Sequence, residues 1–194
     1  MGKGPLVAQL ATNGAALASA MQQLVDRAFS QVGDQWDYLV FYEHDMIPPL
    51  DAFDRVAEYN PEEHHIVGAM YFARQPPHSP TVSMKLDRGA NQAPDYVYPT
   101  PELTKQMVEA PALYEVESVG TGFTAIHRTV FEKWDKNIRM WEAQEPILVH
   151  DMWFCLKAKE QGFKVWVDSG IVCGHITERA VSYDDYRRYQ QWAG

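Results

Sequence analysis

Basic charge, cysteine and long apolar runs are what this sequence has least of. Its 194 residues carry 17 Lys and Arg against 26 Asp and Glu, a formal net charge of −9. That argues against a nucleic-acid backbone as the main partner, because such binding needs a basic face. Two cysteines, Cys155 and Cys173, cannot make a disulfide scaffold. A reduced, cytoplasmic setting is the default reading, with a single disulfide still open. No transmembrane segment is evident. The uncharged stretch over residues 4–25 follows Lys3, as in a signal peptide, but Gln9, Thr12, Asn13, Ser19, Gln22 and Gln23 interrupt it. No apolar core of about 7–15 residues remains. Repeats and low-complexity tracts are absent too. With 46% hydrophobic and 22% charged residues, the composition excludes disorder, collagen and coiled coil. At roughly 150 residues per domain, the chain reads as one domain over residues 1–194.

What is present is unevenly placed. Between residues 36 and 70 stand eight acids (Asp37, Glu43, Asp45, Asp51, Asp54, Glu58, Glu62, Glu63) and one base, Arg55. Seven of the nine net negative charges therefore fall in 35 residues. A solvated acidic face accounts for such a run, and so does a cation site.

Hydrophobic periodicity supplies the elements. Leu6, Leu10, Leu17, Met21, Leu24 and Ala28 predict a helix over 5–30, with Pro5 in its first turn. Residues 37–43 and 65–72 are apolar runs that fit strands buried on both faces. A short helix over 50–59, turning Phe53, Val56 and Ala57 inward, follows Pro48-Pro49. Three prolines make 75–80 a loop, and 81–86 reads as a strand. Pro, Gly and Asn make 87–111 an irregular excursion. Strands are expected at 113–119, 123–127 and 164–167. Helices are expected at 129–134, at 151–161 with Gly162 as its stop, and at 183–191. Alternating strands and helices predict an α/β fold with a mostly parallel sheet, and a smaller antiparallel, irregular middle region.

Four places carry chemistry. Glu43-His44-Asp45 ends the most apolar strand, and in extended backbone its two acids share a face. The carboxyl end of a strand in an open α/β sheet is where ligands bind. Two carboxylates there suit Mg²⁺ or Mn²⁺ shared with substrate phosphates, or they are solvated acids in a turn. His175, in Cys173-Gly-His, sits at another strand end. It is either a metal ligand or a hydrogen-bonded loop histidine. Asp151, after His150, is a general base or a helix N-cap. Gly68 and Gly120-Thr121-Gly122 interrupt strand patterns, as bulges or close approaches to a ligand. Trp153 and other aromatics offer sugar-stacking faces or core.

The order of these blocks resembles the GT-A glycosyltransferases, in particular the inverting group that uses nucleotide-sugar donors. The matching blocks are Asp37-Tyr-Leu-Val-Phe-Tyr-Glu-His-Asp45 with Pro48-Pro49, Ile66-Val-Gly-Ala69, Val119-Gly-Thr-Gly-Phe123 through Phe131, His150-Asp-Met-Trp153 through Phe163, Val165-Trp-Val-Asp168, and Gly174-His-Ile176. The resemblance implies a Rossmann-like GT-A fold and a Mn²⁺ or Mg²⁺ ion on the donor diphosphate. Asp45 then matches the last acid of the family's D-x-D motif and Glu43 its first. His175 matches a late histidine of the metal site, and Asp151 the acceptor base, with His150 standing where the family has an acid. Glu43, Gly68, Gly120, Thr121, Gly122, His150 and Trp153 would line the donor and acceptor sites. The implied partners are a nucleotide-sugar donor and a glycan, protein or small-molecule acceptor. The family's first, nucleotide-binding strand has no counterpart before residues 5–30, which leads us to expect an exposed edge there, open to a second copy or another chain. Two other readings use the same residues: a metal-dependent hydrolase of a phosphoester or diphosphate, and a non-catalytic sugar-binding protein on a decayed transferase fold.

Overall fold

A computed structural model describes residues 17–87, 95–142, 149–177 and 180–192 of the chain. Helix α1 (Leu17–Arg27) puts Met21 and Val25 into the core and runs into one π-helical turn, Ala28–Val32. Gly33, at φ 69°, ends it in backbone that favours glycine. The first part of the expected helix, with Thr12 and Asn13, lies outside the described residues. Strand β1 (Tyr38–Tyr42) is followed by β2 (Met46–Ile47), helix α2 (Ala52–Ala57) and β3 (Ile66–Met70). The buried set around α2 is Ala52, Val56 and Tyr59, whereas Ala57 is exposed and Phe53 lies at the rim, its ring edge-on to Phe123 at 5.5 Å, so the predicted phase of this helix is corrected.

The segment expected as one strand at 81–86 is split into β4 (Val82–Ser83) and β5 (Lys85–Asp87). The expected irregular excursion holds regular structure instead: β6 (Asp95–Val97) and helix α3 (Pro101–Glu109). Thr100 caps α3, its Oγ1 accepting the Leu103 N–H at 3.2 Å, and Pro101 takes the first turn, where a missing N–H costs nothing. Then come β7 (Leu113–Glu115), β8 (Ser118–Val119), β9 (Phe123–His127) and α4 (Arg128–Lys133). The chain closes with α5 (His150–Glu160), β10 (Val165–Val172), β11 (Gly174–Ile176), β12 (Ala180–Val181) and α6 (Tyr183–Trp192).

This is a mixed α/β fold around a five-stranded sheet, ordered β1-β9-β3-β10-β7. The expectation of a mostly parallel sheet is corrected. Only β3 and β10 form a parallel pair, while β1–β9, β9–β3 and β10–β7 are antiparallel. Yet β1, β3 and β10 all run in one direction, because β9 is inserted between β1 and β3 with the opposite sense. Their carboxyl ends therefore meet at one edge of the sheet, together with the amino end of β9. A small sheet, β12-β11-β2, sits at that edge. Among the described residues β1 pairs only with β9.

Burial sorts the side chains of β3 by their period of two. Ile66 and Met70, with Phe72 beyond, join the larger core beside Met21, Val25, Met107, Phe131, Phe154 and Tyr186. Val67, Ala69 and Tyr71 join a smaller core with Ala52, Val56, Tyr59, Phe123 and Ile171. Helices thus cover both faces, α2 on one and α1, α3, α4, α5 and α6 on the other. Trp134 and Trp141 stack on Phe154 with ring centroids 5.2 and 4.3 Å away, so both are core. No described helix is long and apolar enough to cross a membrane.

Candidate functional site

The converging strand ends deliver the sequence-predicted residues to one place. β1 stops at Tyr42, and the Met46 N–H turns back to the Glu43 carbonyl at 3.1 Å. The Glu43-His44-Asp45 segment is thus a turn and not extended strand, which corrects the shared-face argument. The two acids part. Glu43 Oε1 accepts a hydrogen bond from Thr121 Oγ1 at 3.2 Å, whereas Asp45 faces His175.

Asp45 and His175 are both nearly buried, at 9% and 8% exposed. The pairing of β2 with β11 brings them together: His175 sits opposite Met46, and the Ile176 N–H donates to the Asp45 carbonyl at 2.7 Å. The His175 Nδ1 lies 2.9 Å from the Phe72 carbonyl, which can only accept. Nδ1 therefore carries the proton, and in the neutral ring Nε2 presents a lone pair. Nε2 lies 3.5 Å from Asp45 Oδ2. The other carboxylate oxygen, Asp45 Oδ1, is buried with no hydrogen-bond partner among the described residues. Arg74 Nη1 approaches Oδ2 from the solvent side at 3.4 Å.

The glycine-bracketed loop forms the opposite wall. The Glu43 N–H donates to the Gly122 carbonyl at 2.8 Å, and the Gly122 N–H donates to the Tyr71 hydroxyl at 3.1 Å. A Cβ on Gly120 would run into that hydroxyl, and one on Gly122 into Met46 and the Tyr71 ring. Burial pushes the Tyr71 phenol up, and the negative charges of Asp151 and Glu43 add to the shift. The Tyr71 ring meets His175 edge-on at 5.5 Å, joining the two halves of the site.

Helix α5 points its amino end here. His150 Nε2 lies 3.5 Å from Thr121 Oγ1, extending a chain from Glu43 through Thr121 to His150. Asp151 is not the N-cap, because Val149 holds that position without a side-chain cap. Asp151 stands in the first turn instead, with its Oδ1 accepting the Met152 N–H at 2.8 Å. Burial holds its carboxyl above the usual carboxylate range, against the opposing pull of His150 and the Met152 N–H.

Two sequence-predicted residues lie apart from this constellation. Gly68 is in the middle of β3, where a Cβ would collide with Val119, so its small size serves packing. Trp153 donates its Nε1 proton to the Arg139 carbonyl at 2.9 Å and carries Lys157 over its ring at 4.8 Å. Cys173, two residues before His175, is buried, and burial pushes its thiol up to about 12.

One network went unread in the sequence. Arg55 donates to both oxygens of Asp168, Nε to Oδ2 at 3.1 Å and Nη2 to Oδ1 at 2.8 Å, and the Tyr59 hydroxyl donates to Oδ2 at 2.9 Å. The Gly170 N–H completes the set at 2.8 Å. Asp168 is 1% exposed. It stands where the β3–β10 register breaks: Asp168 faces Ala69, yet Val172 already faces Met70. The clamp ties α2 to the irregular stretch of β10 that leads into β11.

Among the described residues, no three His, Cys, Asp or Glu side chains gather as a metal-holding group. Asp45 and His175 form a pair, which fits a divalent ion that draws its remaining ligands from substrate phosphates and water.

No family model matches the chain, and no curated protein matches it in sequence. Among solved structures, the crystal structure of A197 from STIV superposes with a TM-score of 0.61 at 21% identity, covering 88% of this chain and 73% of that one. At that identity the likeness speaks for the fold alone.

Proposed function

We propose that this chain is a metal-dependent GT-A glycosyltransferase that moves a sugar from a nucleoside-diphosphate donor to an acceptor hydroxyl with inversion. One observation carries the reading: among the described residues Asp45 Oδ1 is buried without a hydrogen-bond partner, and His175 Nε2 lies 3.5 Å from the other oxygen of the same carboxylate. A buried carboxylate oxygen left without a partner, beside an imidazole nitrogen and only a loose contact from Arg74, suits a divalent cation. Held by Asp45 and His175, Mn²⁺ or Mg²⁺ would offset the charge that develops on the departing diphosphate.

The remaining roles fall to the chain's own groups. Asp151, with its carboxyl raised by burial, takes the proton of the acceptor hydroxyl in the displacement step. The chain from His150 through Thr121 to Glu43 fixes the opposite wall and offers polar contacts to the sugar. Gly120 and Gly122 let that wall pack against Tyr71 and Met46. We place the protein in a reducing, cytoplasmic compartment, where both buried thiols stay free.

The test is incubation with labelled nucleotide sugars, Mn²⁺ and a panel of hydroxyl acceptors. The reading expects label on an acceptor, with metal removal abolishing transfer. Release of free sugar or phosphate alone, undiminished by any acceptor, would favour the hydrolase reading. Sugar binding without turnover, indifferent to metal, would favour a binding protein.

A further inference from the structure

Arg74 follows β3 by four residues and reaches back into the site. Its Nη1 lies 3.4 Å from Asp45 Oδ2, the same oxygen that faces His175 Nε2 at 3.5 Å. The two ends of this ion pair differ sharply in exposure. The Arg74 side chain is 52% exposed and the Asp45 side chain 12%. The contact is also loose. Charge-assisted bonds between guanidinium and carboxylate close to about 2.7–2.9 Å and are frequently bidentate. Arg55 grips Asp168 in that bidentate way in this same protein. Arg74 instead touches one oxygen at long range, and Oδ1 has no hydrogen-bond partner among the described residues. It supplies positive charge at the mouth of the site without filling the position beside His175.

We propose that Arg74 is a built-in stand-in for the divalent ion. Its guanidinium neutralises Asp45 while the ion is away, yields the carboxylate when the ion arrives, and then pairs with the phosphate that enters with it. The inference rests on the metal-site reading above. Two opposite effects follow. Arg74 competes with the free ion for Asp45, so it weakens binding of metal alone. It favours the ion together with a phosphate ligand, because the displaced guanidinium finds a new anion. Metal and phosphate then bind with positive coupling, and the coupling is reciprocal.

The experiment measures Mn²⁺ uptake by the full chain by equilibrium dialysis, as the excess of Mn²⁺ on the protein side, with and without inorganic pyrophosphate on both sides. Wild type is compared with Arg74→Gln. Arg74 is half in solvent, so the variant should fold, and its melting temperature checks that. The expected result is roughly two- to fivefold tighter Mn²⁺ binding by Arg74→Gln alone, the scale of an exposed ion pair, together with a smaller enhancement by pyrophosphate. Equal or weaker Mn²⁺ binding by the variant, or an undiminished pyrophosphate enhancement, overturns the inference and leaves the metal site standing. Absence of uptake by either protein, with or without pyrophosphate, overturns the metal site and this inference with it.

Discussion

Asp151 occupies the second position of α5, where its carboxylate satisfies a free helix N–H and its charge acts on the Tyr71 phenol. That structural role and the proposed role as base separate on substitution. Asn keeps an oxygen for the Met152 N–H but cannot take up the acceptor proton. Asp151→Asn should therefore lose about 10²-fold or more in transfer rate, while donor affinity stays near wild type. Stability gives an independent check. Burial raises this carboxyl in the folded state, so its contribution is full below the ordinary carboxylate range and is lost as pH rises through the raised value. Asn removes that loss, and the variant should melt no lower than wild type at pH 7. Transfer near the wild-type rate would reduce Asp151 to a structural group. The sequence made Asp151, Asp45 and His175 legible because each stands beside an element boundary that local pattern reveals. It misled on Glu43 and Asp45 as a pair, because a turn closed by the Met46 N–H replaces the extended backbone. The Arg55–Asp168 clamp was illegible, since its partners lie 113 residues apart and only the fold joins them.

At the scale of elements, that clamp pins α2 to the register break in β10. Truncating Arg55 would strand the buried Asp168 carboxylate with only the Tyr59 hydroxyl and the Gly170 N–H. Arg55→Ala should cost about 3 kcal/mol, the low end for a broken buried pair, because Arg55 keeps part of its side chain in water. Urea unfolding of the two proteins measures this, and a loss under about 1 kcal/mol would show that the clamp contributes no more than a surface pair. Two histidines hold other element ends. His127 Nδ1 accepts the Thr129 N–H at 3.3 Å where α4 begins, and His65 Nδ1 accepts the Lys164 N–H at 3.3 Å where β10 approaches. Burial holds both imidazoles below their ordinary value of 6.5. The unfolded chain then takes up protons first, so stability is full above about pH 6.5 and falls as pH drops toward the lowered values. Melting curves at pH 7.5 and 5.5 should show this fall in wild type and a smaller one in a His65→Gln, His127→Asn double variant. Equal falls would assign the acid sensitivity elsewhere. Helix α3 was hidden by the Pro- and Asn-rich composition around it, although Thr100-Pro101 is a helix start that capping chemistry explains.

Over the whole molecule, the edge that gathers the candidate site depends on strand direction more than on adjacency. The expected parallel sheet rested on alternating strands and helices, with apolar runs in β1 and β3 that fit it, and those strands do share a direction with β10. The pattern could not reveal that β9 would slip between β1 and β3, because burial on both faces gives the same apolar run in either sense. The edge at which the three carboxyl ends meet is unaltered by that insertion, and it holds Asp45, Tyr71 and His175. The central claim is that Asp45 and His175 hold a divalent ion for a diphosphate ligand. Calorimetric titration of nucleoside diphosphates into wild type and Asp45→Ala, each with Mn²⁺ and with chelator, tests it most directly. The account predicts tighter binding with Mn²⁺ in wild type and loss of that gain in a folded Asp45→Ala. Binding of equal strength in all four titrations would contradict it.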